Sequence, residues 1–428
     1  MKFSRESLVA AVAIAAIAFG HAACATINGA EAASAPAEAP MAAGATADGP
    51  AAAQGGQEIG AYTSFGVDLY KELIKEKPGV NVFISPASVG FALAMTYNGA
   101  EGPTRDAMTG VLHYAVTNLA VVNRTDSILI ARMNEPIKRV QLSAANSLWA
   151  RRGIDFKKEF LERNKRFYGA EVQSIDFDAP GAAGRINAWV SGKTKDKITK
   201  IVEQIDPSSI LFIVNAIYFK GAWTREFDTK LTRDDPFYPP GGGVEKRQMM
   251  NQSGEYPYFK GNGFQAASLP YGDGRTSMYV FLPDDRAGLD AFNDSLTAES
   301  WEAWMSGFAE KRGHIVLPRF TVEFTASLKR SLSELGMGDA FDGTRANFRG
   351  MVEATGANAF IHDVLHKTFI AVNEEGTEAA AVTSVEIRLT SVMEPEKPFE
   401  MICDHPFFFA IRDNETGLIL FMGSIVNP

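Results

Sequence analysis

The segment that most constrains the fold runs from Glu374 to Ser391, and it reads two ways at once. Taken with period two, Thr377, Ala379, Ala381, Thr383, Val385, Ile387 and Leu389 lie on one face, and Glu378, Ala380, Val382, Ser384, Glu386 and Arg388 on the other. The first face is small or apolar and the second mostly polar, the pattern of a strand with one buried side. Its beginning is nevertheless poor strand material. Three alanines follow Gly376-Thr377-Glu378, with low strand propensity and little to bury. Small side chains also slip easily between other strands. Such a segment suits an exposed loop in one state and a central strand in another.

The flanking residues make the pattern specific. His366-Lys367-Thr368-Phe369-Ile370-Ala371-Val372-Asn373 leads directly into Glu374-Glu375-Gly376-Thr377-Glu378-Ala379-Ala380-Ala381. Four more blocks occur in order: Asn81 to Ser88 (NVFISPAS), Ile186 to Val190 with Thr194 and Lys197-Ile198, Val214 to Trp223 (VNAIYFKGAW), and Asp404 to Phe409 (DHPFFF) followed by Leu420 to Gly423 and Asn427-Pro428. Together these resemble the serpins, a family of protease inhibitors, over roughly residues 58 to 428. The fold this implies is α+β: helices around a large central mixed sheet, smaller sheets beside it, and an exposed reactive loop.

Composition agrees with one large domain. The 428 residues could fill two or three domains, yet no linker or composition shift interrupts residues 58 to 428. A formal net charge of −9 argues against nucleic acid or an anionic membrane surface as the main partner. Of the two cysteines, Cys24 lies in a segment expected to be processed and Cys403 in an apolar run, so no internal disulfide is expected. Lys2, Arg5, the apolar run Leu8 to Phe19 and the small residues Ala22, Ala23 and Ala25 read as a secretion signal over residues 1–24. Two cleavage readings stay open. Cys24 after Ala22-Ala23 resembles a bacterial lipobox, which would make the protein a membrane-anchored lipoprotein, but His21 stands where that motif usually has an apolar residue. A cut near Ala23 or Ala25 would instead release a secreted protein. Residues 25–57, rich in Ala, Gly, Pro and Glu and without Lys or Arg, read as a disordered spacer.

Periodicity predicts helices over Tyr62–Lys75, Pro86–Tyr97, Pro103 toward His113, Phe156–Tyr168 and Phe324–Leu335, the last capped by Gly336. It predicts strands over Ile210–Phe219, Ser277–Leu282 and His314–Val322, and a hairpin from Phe407–Ile411 through Asn414 to Gly417 into Leu418–Met422. No nucleophile elbow, zinc-binding helix or phosphate loop occurs, and the six histidines lack metal-ligand spacing. Neither a cofactor, a metal nor an enzymatic activity is expected. Arg124, Arg132, Lys138 and Arg139 read as a solvated face.

The resemblance implies a bait and trap. A serine protease attacks the loop, and the same trap would also serve against papain-like cysteine proteases. The loop then inserts into the main sheet with the enzyme still ester-linked. Glu374, Gly376, Thr377, Glu378, Ala379, Ala380 and Ala381 match the inhibitory form of the hinge: uncharged and small on the inward face. Glu374 is expected to stay atop the existing strand, and Thr377 to be the first inward residue to enter. Ser85, Ser88, Asn215 and His366 match a buried polar cluster where strands part, and Trp223 a residue packed where the loop enters. Counting from Glu374 places the reactive bond at Thr390-Ser391, suited to elastase-like enzymes with shallow pockets. Arg388 would invite trypsin-like enzymes, and Leu389 or Met393 chymotrypsin-like ones. The count from Pro406 disagrees, because the segment beyond the hinge is longer than usual, around Val392 to Pro398. A monomer is expected. The competing reading is a non-inhibitory serpin that acts as a binding protein.

Overall fold

The computed structural model describes residues 50–206, 209, 211–353, 359–377 and 397–428. Among them are nine α-helices and two β-sheets, an α+β architecture. The first sheet runs, edge to edge, through Phe320–Ser327, Asp363–Asn373, Gly376–Thr377, Leu211–Ala222, Val140–Arg151 and Glu171–Ile175. The second runs through Val82–Ile84, Ile419–Ile425, Phe407–Asp413, Thr276–Pro283, Phe264–Tyr271, Glu245–Lys260, Ala309–Pro318 and Phe399–Ile402, with Arg233–Phe237 also paired to Glu245–Lys260.

The helix Pro86–Tyr97 ties the two sheets together. All twelve of its residues are buried, and it packs on strands of both sheets. A helix apolar on every side has no stable alternative to such a site. Proline at its first turn costs no hydrogen bond there. Leu211–Ala222 is the most enclosed strand of the first sheet, buried at every position but one. Its nearly continuous β-branched and aromatic run reflects burial on both faces.

Most expected elements form, with shifted ends. The predicted central strand extends to Ala222, and the C-terminal hairpin pairs Phe407–Asp413 with Ile419–Ile425 as expected. Cys403 is a free, fully buried thiol whose pKa is pushed up by burial. Two readings need correction. The first helix begins at Pro50, not near Tyr62, so residues 50–57 are helical although the spacer was read through 57. Pro50 suits a first helical turn, and Ala51 to Gln54 are good helix formers even without an apolar stripe. Phe324–Leu335 is not one helix. Phe320–Ser327 is a strand with Phe320, Val322, Phe324 and Ala326 buried in alternation; only Lys329–Leu332 is α-helical beyond it. The expected strand His314–Val322 accordingly splits at Arg319, between Ala309–Pro318 and Phe320–Ser327. Gly336, expected as a cap, lies at a kink with φ +116.

Candidate functional site at the split in the first sheet

Asp363–Asn373 and Leu211–Ala222 run parallel, in register from Asp363–Phe212 to Phe369–Tyr218. Above that point their ladder ends. The chain turns tightly after Asn373, and Gly376–Thr377 comes back down between them, antiparallel to both: Thr377 faces Val372 and Gly221, and Gly376 faces Asn373 and Ala222. The Asn373 side chain holds the turn by accepting from the backbone N–H groups of Glu375 and Gly376, at 3.0 and 3.2 Å.

Gly376 is dictated by space as well as by conformation. Its φ is +143, and a Cβ there would lie 2.1 Å from the Gly221 carbonyl oxygen and 2.6 Å from Ala222 Cα. Thr377 is fully buried, its hydroxyl 2.8 Å from that of Tyr271. Tyr271 stacks on Trp223 with ring centres 4.3 Å apart, and the Trp223 indole N–H donates to the Asn373 carbonyl at 2.9 Å. Trp223 thus packs directly beneath the turn. Its backbone N–H also donates to the Glu375 carbonyl at 3.0 Å, and that of Phe227 to the Glu374 carbonyl at 2.9 Å.

Glu374 anchors the turn from the other side. Its carboxylate is almost wholly buried and takes two bonds of 2.8 Å from Arg319 Nε, a 2.6 Å contact from Arg319 Nη2, and a bond from the Thr232 hydroxyl. Burial alone would push its pKa up. The Arg319 and Thr232 bonds and a backbone N–H outweigh that and hold it below the usual carboxylate range. Glu374 is thereby held in the turn just beyond Asn373, where the strand ends.

Lower down, the structure brings Ser85, Ser88, Asn215 and His366 together, all fully buried. His366 and Asn215 are register partners in the parallel ladder. His366 Nε2 accepts from the Ser85 backbone N–H at 3.1 Å, so the proton sits on Nδ1 and is donated to Asn215 Oδ1 at 2.6 Å. Asn215 Nδ2 donates to the Ser88 hydroxyl and to Asn146 Oδ1, and the Ser85 hydroxyl donates to the Leu420 carbonyl at 2.6 Å. Desolvation lowers the His366 pKa to about 3, so the imidazole is neutral.

Sequence reasoning missed Tyr271, Arg319, Thr232 and Asn146. Each lies far along the chain from the residue it holds, and none sits in a motif that announces the contact. Glu378, Ala379, Ala380, Ala381, Arg388, Leu389, Thr390, Ser391 and Met393 lie outside the described residues, as does Cys24.

A family model for serpins (serine protease inhibitors) matches residues 60–428. An uncharacterised serpin-like protein of Thermococcus kodakarensis is 39% identical over 378 residues, covering 87% of each chain. A leukocyte elastase inhibitor of Equus caballus is 37% identical over 382 residues, covering 86% of this chain and 98% of the inhibitor. Among solved structures, the thermophilic serpin tengpin in its native state superposes with a TM-score of 0.80 at 31% identity, over 86% of this chain and 94% of tengpin. The chain belongs to the serpin family, whose members are mostly protease inhibitors rather than enzymes. Inhibitory relatives of this kind support protease inhibition in general as its activity.

Proposed function

We propose that this protein inhibits serine proteases as a suicide substrate, with elastase-like enzymes as the preferred targets. The observation that carries this reading is the seat of Gly376–Thr377 between two strands that are directly paired only below them. A loop whose first residues already form part of a sheet needs no new nucleation to zip further in. The protease serine hydroxyl adds to the Thr390 carbonyl carbon and gives up its proton. The Thr390–Ser391 C–N bond breaks, Ser391 leaves as a new amine carrying that proton, and Thr390 remains as an ester on the enzyme. The loop then zips in behind the already seated Thr377, completing a strand over residues 377–389 before water can hydrolyse the ester. Insertion must part Asp363–Phe369 from Phe212–Tyr218, and with them the His366–Asn215 bond. Partner exchange within the Ser85, Ser88, Asn215 and His366 cluster keeps each polar group bonded while the strands move. The inserted strand adds backbone hydrogen bonds on both sides, and the strain stored in the native state is released.

The test is incubation of the full chain with an elastase, a trypsin-like and a chymotrypsin-like protease. An SDS-resistant complex with elastase, and a released C-terminal fragment starting at Ser391, are expected. A fragment starting at Leu389 or Glu394 would move the reactive bond. Complete cleavage without a complex in every arm would overturn inhibition in favour of the non-inhibitory binding role.

The same reading takes residues 1–24 as an export signal, Cys24 as the lipid-bearing N-terminus, and the following segment as a tether. The inhibitor would then act as a monomer near the surface that holds it.

A further inference from the structure

The proposed bait lies between Thr377 and Lys397, so it has two feet. One is the Glu374–Thr377 turn in the first sheet, and the other is Phe399–Ile402, the last strand of the second. Residues Trp223 and Phe227 hold the first foot, their backbone N–H groups donating to the Glu375 and Glu374 carbonyls. Among the described residues the second foot pairs only with Ala309–Pro318, which pairs in turn with Glu245–Lys260. One face of Glu245–Lys260 reaches both feet.

In the register of these strands Gly254 faces Gly313, and Gly313 faces Phe399, so the three positions share one side of the sheet. Neither glycine has room for a side chain. A Cβ at Gly254 would lie 2.0 Å from Arg225 Nη1, and one at Gly313 would lie 2.2 Å from the Phe399 ring. The two glycines thus form a trough for the Arg225 guanidinium and the Phe399 ring. Gln252 and Tyr256, two residues to either side of Gly254 on the same face, complete it. Arg225 Nη2 donates to Gln252 Oε1 at 2.9 Å and to the Tyr256 hydroxyl at 2.5 Å, and that hydroxyl donates to Gln252 Oε1 at 2.8 Å. Burial pushes the Tyr256 phenol up to about 12, so it stays neutral and able to donate. Gln252 Nε2 donates back to the Arg225 and Glu226 carbonyls at 3.1 and 2.7 Å. The Phe399 ring stands edge-on to Tyr256, centres 6.1 Å apart, and stacks on Tyr258 at 4.1 Å. Arg225 itself is exposed, so its truncation opens no hole in the core.

We infer that Arg225 is a positioning residue for the bait: through Gln252 and Tyr256 it ties the segment that holds the hinge to the aromatic seat of Phe399, and so fixes the separation of the bait's two feet. A bait with its ends held at one spacing samples fewer conformations. It loses less entropy when a protease takes it up in extended form. Arg225 thus acts on how fast the bond is attacked, whereas insertion behind Thr377 is a separate step. This inference deepens the reading above and rests on it only in taking the segment between Thr377 and Lys397 as what the protease cuts.

The test takes the full chain and whichever of the three proteases cuts wild type fastest, and reads kcat/KM for cleavage between Thr377 and Lys397. That quantity is measurable whether the enzyme is afterwards trapped or released. Arg225→Ala should lower it by about threefold or more, and so should Gly254→Ala, whose new methyl group evicts the guanidinium. The double variant should fall no further, because both changes remove the same contact. Amide hydrogen exchange should quicken by about threefold or more over residues 399–402 as well as 374–377 in each variant, at an unchanged melting temperature. Unchanged kcat/KM in Arg225→Ala, multiplied losses in the double variant, or exchange that quickens at the hinge alone would overturn the assignment. Cleavage of wild type without a complex would overturn trapping and leave this inference standing. If none of the three proteases cuts wild type there, the bait reading falls and this inference with it.

Discussion

At the scale of single residues, the native state already confines the hinge. Thr377 is buried against Tyr271 before any cleavage. Thr377→Arg would place a charge in that site, at several kcal/mol unless the hinge backs out. The expected result is conversion from inhibitor to substrate, measured as the ratio of SDS-stable complex to cleaved protein. Undiminished complex would sink the insertion mechanism. Tyr271→Phe removes only one hydroxyl partner, worth about 1 kcal/mol, and should leave complex formation largely intact. His366 gives a pH signature. Its folded pKa, about 3, lies below the unfolded value near ~6.5, so the unfolded chain binds the extra proton in between. The stability contribution is therefore full above ~6.5 and is lost as pH falls toward 3, at up to ~1.4 kcal/mol per pH unit. Unfolding midpoints in urea at pH 7 and pH 4.5 should differ less in His366→Gln than in wild type. Glu374 adds loss in the same direction at lower pH, because its depressed pKa makes the Arg319 pairing fail only in acid.

At the scale of elements, the decisive feature is a parallel pair that zips only part of the way. Asp363–Phe369 and Phe212–Tyr218 are joined, whereas the upper ends are joined through Gly376–Thr377. A strand completing that insertion gains neighbours on both sides. Each kcal/mol is worth ~2–4 °C in a domain of about 150–250 residues and less in a larger one, so ~5 kcal/mol from a new ladder would raise the melting temperature by several degrees. Nicking the loop near Thr390 should produce such a rise in a thermal scan. An unchanged melting temperature would point to the non-inhibitory class. The insertion mechanism requires a native state trapped kinetically rather than resting at its lowest free energy, so the scan rate is held constant in that comparison.

At the scale of the whole molecule, the hinge and the N-terminal segment lie far apart in the sequence, so each can be altered without the other. The N-terminus supplies the last prediction. If Cys24 carries lipid, wild type fractionates with membranes and Cys24→Ser moves to the soluble fraction, since two or more acyl chains hold firmly where one holds only marginally. Equal soluble distribution of both proteins would refute the tether and favour a simple cut near Ala23 or Ala25.

Much of the fold was legible locally. The Pro86–Tyr97 helix, the central strand as far as Phe219 and the C-terminal hairpin follow from periodicity, proline placement and turn residues, because those signals act within a few residues. Gly376 was legible too, as the one residue type that tolerates both its φ and the neighbouring backbone at 2.1 Å. Residues Phe324–Ser327 were misread because an apolar alternation running into leucines at helical spacing satisfies both periods, and only pairing with Asp363–Asn373 chose the strand. The sequence by itself determined the family, the strand faces and a hinge free of bulk and charge on its inward side. The tertiary structure alone decided how far that hinge enters and which groups hold it. Thr377 with Tyr271, Glu374 with Arg319, and His366 with Ser85 join positions 106, 55 and 281 residues apart. Local patterning tells a side chain which face to take, but the partner it meets there depends on how distant strands pack.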